Sequence, residues 1–149
     1  MITFETSVRI RRAIEEVFSY VADPLNFPRW NSAVEAVHET SAAENGVAST
    51  YSMERELPTG RAVNELEVVA SQRPREFAIR TTAGPTPFLY RYRFSRERGE
   101  TVVRLDAEVE LQGTAAVLPQ LARCAVKNGV DHNLATLKRI LELGGRDLP

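Results

Sequence analysis

Only one cysteine, Cys124, occurs in the 149 residues, so an internal disulfide and a thiolate metal cluster are both excluded. The chain has only two histidines, His38 and His132, and neither sits in a motif. HExxH, GxSxG and glycine-rich phosphate loops are all missing, which leaves zinc-peptidase, serine-hydrolase and nucleotide chemistry without a basis, and no metal or cofactor is expected. Charge of one sign is also lacking. Nineteen Lys and Arg face twenty Asp and Glu, for a net charge of -1, so nucleic acid is not an expected partner. No apolar run approaches the roughly 18 residues of a membrane span, and the opening MITFETSVRIRR lacks the charged start and apolar middle of a signal peptide. The expectation is a cytoplasmic protein without stable membrane insertion; the sequence leaves its oligomeric state open.

What is present is a soluble-domain composition, 43% hydrophobic and 26% charged. A chain of this length predicts one domain over residues 1–149, able to bury about two-thirds of its unfolded surface. Ile2, Phe4, Thr6, Val8 and Ile10 alternate with polar neighbours and predict a strand. Over Ala13 to Ala22 the period changes, with Ile14, Val17, Phe18 and Val21 at helical spacing. Asp23-Pro24 then predicts a cap and a second short helix towards Phe27, interrupted at Pro28.

Six further strands follow, separated by Asn45-Gly46, Pro58-Thr59-Gly60, Arg73-Pro74-Arg75, Gly84-Pro85 and Gly99. Weak alternation predicts one over Ala33–Glu39, and stronger alternation predicts Ala48–Leu57 and Arg61–Ser71. Phe77, Ile79 and Thr81 share a face in the next, then Phe88, Tyr90, Tyr92 and Phe94, then Val103, Leu105, Ala107, Val109 and Leu111. Short turns pair successive strands antiparallel. The result is an α+β chain with a seven-stranded antiparallel sheet, two short helices after the first strand and one long last helix.

That last helix is expected over Pro119–Leu143. Its apolar face takes Leu121, Ala122, Ala125, Val126, Val130, Leu137, Ile140 and Leu141, with Gln120, Arg123, Lys127, Asp131, Lys138 and Glu142 mostly opposite. Gly129, Asn133 and Thr136 interrupt the apolar side. They predict either a kink with a bonded amide or a helix that lines a cavity.

The run Glu15 to Trp30, EEVFSYVADPLNFPRW, following a strand and ending in Trp before the next, resembles the N-terminal signature of the polyketide cyclase/dehydrase and START-type lipid-transfer superfamily. The closing Asn133–Glu142 looks like that superfamily's last helix. Arg12-Ala13 departs from the proline that many members place before the first helix. The resemblance implies the helix-grip fold, in which the sheet curls around the last helix and encloses a hydrophobic cavity.

Given such a cavity, the inward aromatic row Phe88, Tyr90, Tyr92 and Phe94, with Phe77, Tyr51 and Trp30, becomes a candidate wall for a flat or lipid-like molecule. Met53, Leu66, Ile79 and Leu105 share that inner face. Ala125, Gly129 and Asn133 are the helix's contribution. Arg55, flanked by Met53 and Leu57, is expected to point inward beside Asn64 and Thr81; it then needs a carboxylate partner or an anionic ligand, unless it snorkels to the rim. His132 borders the apolar face, where it is either a boundary residue or a general base.

The expected partner is a small hydrophobic or aromatic molecule. Two other roles stay open: a cyclase, aromatase or dehydratase with a polar cluster deep in the cavity, for which the sequence singles out no catalytic residue, and a filled protein-interaction module. Convergence of Arg55, Asn64, Thr81, Tyr90 and Asn133 favours specific polar recognition or catalysis, and their scatter to the rim favours a lipid-type binder or filled scaffold.

Overall fold

Every segment with period-two alternation joins one antiparallel sheet. The computed structural model describes residues 1–43, 46–57, 60–111 and 119–144. Its strands are β1 (Ile2–Ile10), β2 (Val34–Ser41), β3 (Thr50–Leu57), β4 (Gly60–Gln72), β5 (Glu76–Ala83), β6 (Phe88–Glu97) and β7 (Glu100–Val109). They are ordered β1-β7-β6-β5-β4-β3-β2, a meander whose last strand returns to pair with the first. Helices α1 (Ile14–Val21), α2 (Phe27–Trp30) and α3 (Pro119–Leu143) complete the fold. Residues Asn45, Pro58 and Thr59 of two expected turns lie outside the described residues.

The core forms between the sheet's inner face and the helices. Val17, Phe18 and Val21 of α1 meet Phe94 and Val103, with the Phe18 and Phe94 rings edge to face at 5.2 Å. Asp23 caps the chain as expected, its carboxylate accepting from Leu25 N at 3.0 Å. A 3-10 turn then covers Pro24–Asn26. Pro28, expected to interrupt the helix, instead lies in the first turn of α2. A proline there removes only an amide that would lack an intrahelical acceptor anyway.

The buried stripe of α3 is Val130, Leu134, Leu137 and Leu141. Two leucines are among the departures from the helical-wheel reading. Leu134, absent from the expected stripe, is 2% exposed, and Leu121, included in it, is 62% exposed. Helical phase explains both: at 100° per residue Leu121 lies half a turn from Val130, whereas Leu134 lies close to it. Lys127, Asp131, Lys138 and Glu142 do not all face away from the protein, because α3 runs along the sheet's edge strand. Thr6 Oγ1 donates to Asp131, Lys138 Nζ donates to the Arg9 carbonyl, and Glu142 accepts from Arg11 N at 2.9 Å. Arg12, standing where the superfamily often has proline, donates from Nη1 to the Leu141 carbonyl at 2.6 Å. A cation is well placed at a helix C-terminus.

Candidate functional site

α2, the turn after it, the inner face of β3 and β6, and one flank of α3 enclose a cavity of about 190 Å³. Its walls are mainly aromatic. Phe88 and Tyr90 lie 4.5 Å apart by ring centroid, Tyr90 meets Tyr92 edge to face at 6.4 Å, and Trp30 meets Tyr92 in the same manner at 6.4 Å. These rings stand together because alternate residues of β6 share a face and Trp30 closes the α2 turn against them. A roomier groove at the β1–β7 end is lined by Glu5, Asp106, Glu108 and Arg123. Being open and charged, it is a solvated surface rather than an apolar site.

Among the described residues, Arg55 is the one cation in the cavity wall. Its guanidinium Nε donates to Asn64 Oδ1 at 2.9 Å, and its Nη2 donates to the carbonyls of Pro85 and Thr86 at 2.9 and 3.2 Å. Asn64 is fully buried and donates in turn to the carbonyls of Ala83 and Pro85, at 3.2 and 2.8 Å. The Phe88 ring lies 5.7 Å from the guanidinium carbon. Of the alternatives set out for an inward Arg55, the carboxylate partner is not found: among the described residues no acid pairs with it, and the groups that hold it are neutral. Burial draws its pKa down, opposed by Tyr90 beside it. From so high a starting value the group remains cationic at neutral pH.

The carbonyl fork depends on a close approach of the β5–β6 turn. Gly84 has φ of 103°, and a Cβ there would fall 2.4 Å from the Val63 carbonyl and 2.6 Å from Asn64 Nδ2. Only glycine lets this turn fold down onto Asn64. Thr81 supports the same turn by accepting from Phe88 N at 3.1 Å.

Two further groups have unusual surroundings. Tyr90 keeps some exposed surface because it faces the cavity, yet burial pushes its hydroxyl up to about 12 against the opposing pull of Arg55. Tyr92 is raised further, by burial first and by Tyr90 second. Trp30, 5% exposed, buries its indole N–H with no acceptor among the described residues. Such an orphan donor costs free energy until something accepts from it.

Of the residues singled out from sequence, Trp30, Met53, Arg55, Phe88, Tyr90, Tyr92, Ala125, Gly129 and Asn133 line this cavity. Ala125 and Gly129 form its exposed rim. Asn133 both lines it and is bonded, accepting from Ser32 N at 3.3 Å. The structure does not bring Tyr51, Asn64, Leu66, Phe77, Ile79, Thr81, Phe94 or Leu105 to the wall. Leu66, Phe77, Ile79 and Leu105 point inward but meet packed atoms. Phe77, for example, stacks behind Tyr92 at 6.3 Å. Tyr51 is buried towards Glu39 and Asp23, and Asn64 and Thr81 are spent on hydrogen bonds. Thr136 satisfies itself on the His132 carbonyl at 3.2 Å, and His132 is exposed, away from the cavity.

Sequence reasoning left out Phe27, Asn31, Ala33 and Val34, along with Val126 and Val130 of α3. The first four flank Trp30 on the α2 turn, and their closeness to that aromatic anchor was the available signal.

Among the described residues, no group of three acidic, His or Cys side chains is placed to hold a metal ion, and no helix is long and apolar enough to cross a membrane.

The family model described as polyketide cyclase / dehydrase and lipid transport matches residues 1–142. No curated protein matches the sequence. Among solved structures, a START superfamily protein from Mycobacterium smegmatis superposes with a TM-score of 0.81 at 16% identity, over 95% of this chain and 97% of that one. The di-domain ARO/CYC StfQ from the steffimycin biosynthetic pathway superposes with a TM-score of 0.78 at 14% identity, over 97% of this chain and 51% of its own. TTHA0849 from Thermus thermophilus gives 0.73 at 17% identity, over 97% and 99%. At these identities the likeness establishes the fold.

Proposed function

The chain belongs to the polyketide cyclase/dehydrase and lipid transport family, and we propose that it binds a small hydrophobic or aromatic molecule in the cavity between its sheet and α3. The observation that carries this reading is the aromatic enclosure around a cation held by neutral groups. A filled scaffold would place apolar side chains there, since a half-buried guanidinium with no acid beside it carries a desolvation cost that packed apolar side chains avoid.

The cavity chemistry favours binding over acid–base turnover. Its described polar side chains are Arg55, Tyr90, Tyr92, Asn31 and Asn133, with no histidine or carboxylate among them. A tyrosine whose pKa is pushed up to about 12 is a poor proton acceptor at neutral pH. Arg55 and Tyr90 instead act as donors that orient a ligand oxygen.

Trp30 is the sole tryptophan and lines the cavity, so its fluorescence reports occupancy directly. Titration with a panel of small aromatic and aliphatic compounds is expected to shift or quench that emission saturably, with Gly129→Leu weakening binding by narrowing the rim. Absence of any response, together with a native mass spectrum free of co-purified compounds, would overturn the reading in favour of a protein-interaction role.

A further inference from the structure

Resting on the binding role proposed above, we infer that the ligand is a one-ring aromatic acid whose anionic oxygen meets Nη1 of Arg55. Size gives the first argument. An engineered cavity of roughly 150 Å³ in another protein holds benzene, and sites for drug-sized ligands begin near 300 Å³. At about 190 Å³ this cavity accommodates one ring and a small substituent. A long acyl chain or a fused polycycle would extend beyond its rim.

Arg55 gives the second. A guanidinium has five N–H donors. Three have acceptors, at Asn64, Pro85 and Thr86, while Nη1 has none among the described residues. The Nε and Nη2 bonds fix the plane of the group and come from within the sheet and its β5–β6 turn. Nη1 is what remains to meet the contents of the cavity that Arg55 lines. Its partners so far are dipoles, so the positive charge has no counter-charge, and a half-buried cation in an aromatic wall favours an anion over a neutral group of the same shape.

The walls give the third. Phe88, Tyr90, Tyr92 and Trp30 present π faces and edges around a space of one ring's size, and Phe88 lies against the guanidinium itself. A ring carrying its acid group directly, or one atom removed, meets both the aromatic walls and Nη1.

The test uses the intact protein at pH 7 and three probes: benzoate, its near-isosteric neutral relative benzamide, and decanoate. Trp30 emission and calorimetry read binding. Benzoate is expected to bind at least about tenfold more tightly than either of the others, the charge of the acid and the size of the cavity each contributing a factor of that order. Arg55→Met is expected to abolish the preference for benzoate over benzamide; the wild-type comparison decides the matter by itself if that variant fails to fold.

Benzamide binding as tightly as benzoate overturns the acid assignment and leaves the cavity role standing. Decanoate binding more tightly overturns the one-ring assignment in the same way. No response to any of the three overturns this inference, and the cavity role falls with it only if the wider panel also fails.

Discussion

Arg55 and Asn64 sit diagonally across β3 and β4, and the Asn64 side chain holds the guanidinium at 2.9 Å while its amide grips the Ala83 and Pro85 carbonyls. One buried amide thus joins three elements of the site. Asn64→Leu should leave Arg55 Nε and a carbonyl without partners, each costing about 1–3 kcal/mol. Urea denaturation is expected to show a loss of about 2–4 kcal/mol, with an unchanged m-value. A loss below about 0.5 kcal/mol would mean that water replaces the amide, and the site would not depend on it.

The glycines Gly84 and Gly129 should respond oppositely to alanine. At Gly84 the added methyl meets backbone at 2.4 Å and φ is 103°, so Gly84→Ala should destabilise by at least about 2 kcal/mol and weaken ligand binding through Arg55. Gly129 is helical, exposed and has nothing within 4 Å of a new Cβ, so Gly129→Ala should stabilise by about 0.5–1 kcal/mol. Thermal melts of the two variants compare them directly, and equal shifts would contradict the distinction.

All four tyrosines should resist ionisation. Burial is the leading cause at Tyr20, Tyr51, Tyr90 and Tyr92 alike, raising each above the ordinary phenol value. A raised folded pKa means the stabilisation is complete below pH 10 and is lost as pH climbs through the folded values. Absorbance of tyrosinate in the folded protein is therefore expected to rise above the ordinary phenol range, with Tyr90 titrating at about 12. A tyrosine ionising at pH 10 with the fold intact would contradict this.

Attachment of α3 to β1 should weaken in acid. Glu142 is held below the ordinary carboxylate range first by the Arg11 amide and then by Lys138, against some burial. At Asp131 partial burial pushes upward, but bonds from Lys127 and Thr6 prevail and the net shift is downward. For depressed groups the stabilisation is present above the unfolded pKa, about 4, and disappears as pH falls through the lower folded values. Melting temperature should fall from about pH 5 downward, and Glu142→Gln should flatten part of that slope. An unchanged slope would show that the pair contributes nothing to the docking of α3.

Alternation along the strands made the sheet readable from residues such as Phe4, Leu66 and Val103, since an inward side chain in a one-sided sheet has a single destination. The candidate site was readable only in part. Phe77 and Tyr92 both point inward by the same parity, yet one is packed behind the other and only Tyr92 reaches the cavity. Parity gives a direction and carries no information about what fills the space ahead. Arg55 was legible as an inward cation, but its carbonyl partners come from Pro85 and Thr86, thirty residues on, through a turn geometry that residue types alone do not specify. Leu121 and Leu134 illustrate the sensitivity of a helix to phase: a face drawn too broadly includes the first and omits the second.

The pairing of β1 with β7, and the bonds from β1 to α3, also determine when the molecule can close. Arg11 meets Glu142 across 131 positions, and Ile2 pairs with Val109. During synthesis the first strand therefore has its neighbour only after the whole meander has emerged, and the helix that covers its edge comes later still. Strand pairing of such range is intrinsically slow. Until then an apolar, unpaired β1 is what a nascent chain presents to chaperones, and losing the α3 segment would leave that strand's edge uncovered in the finished protein.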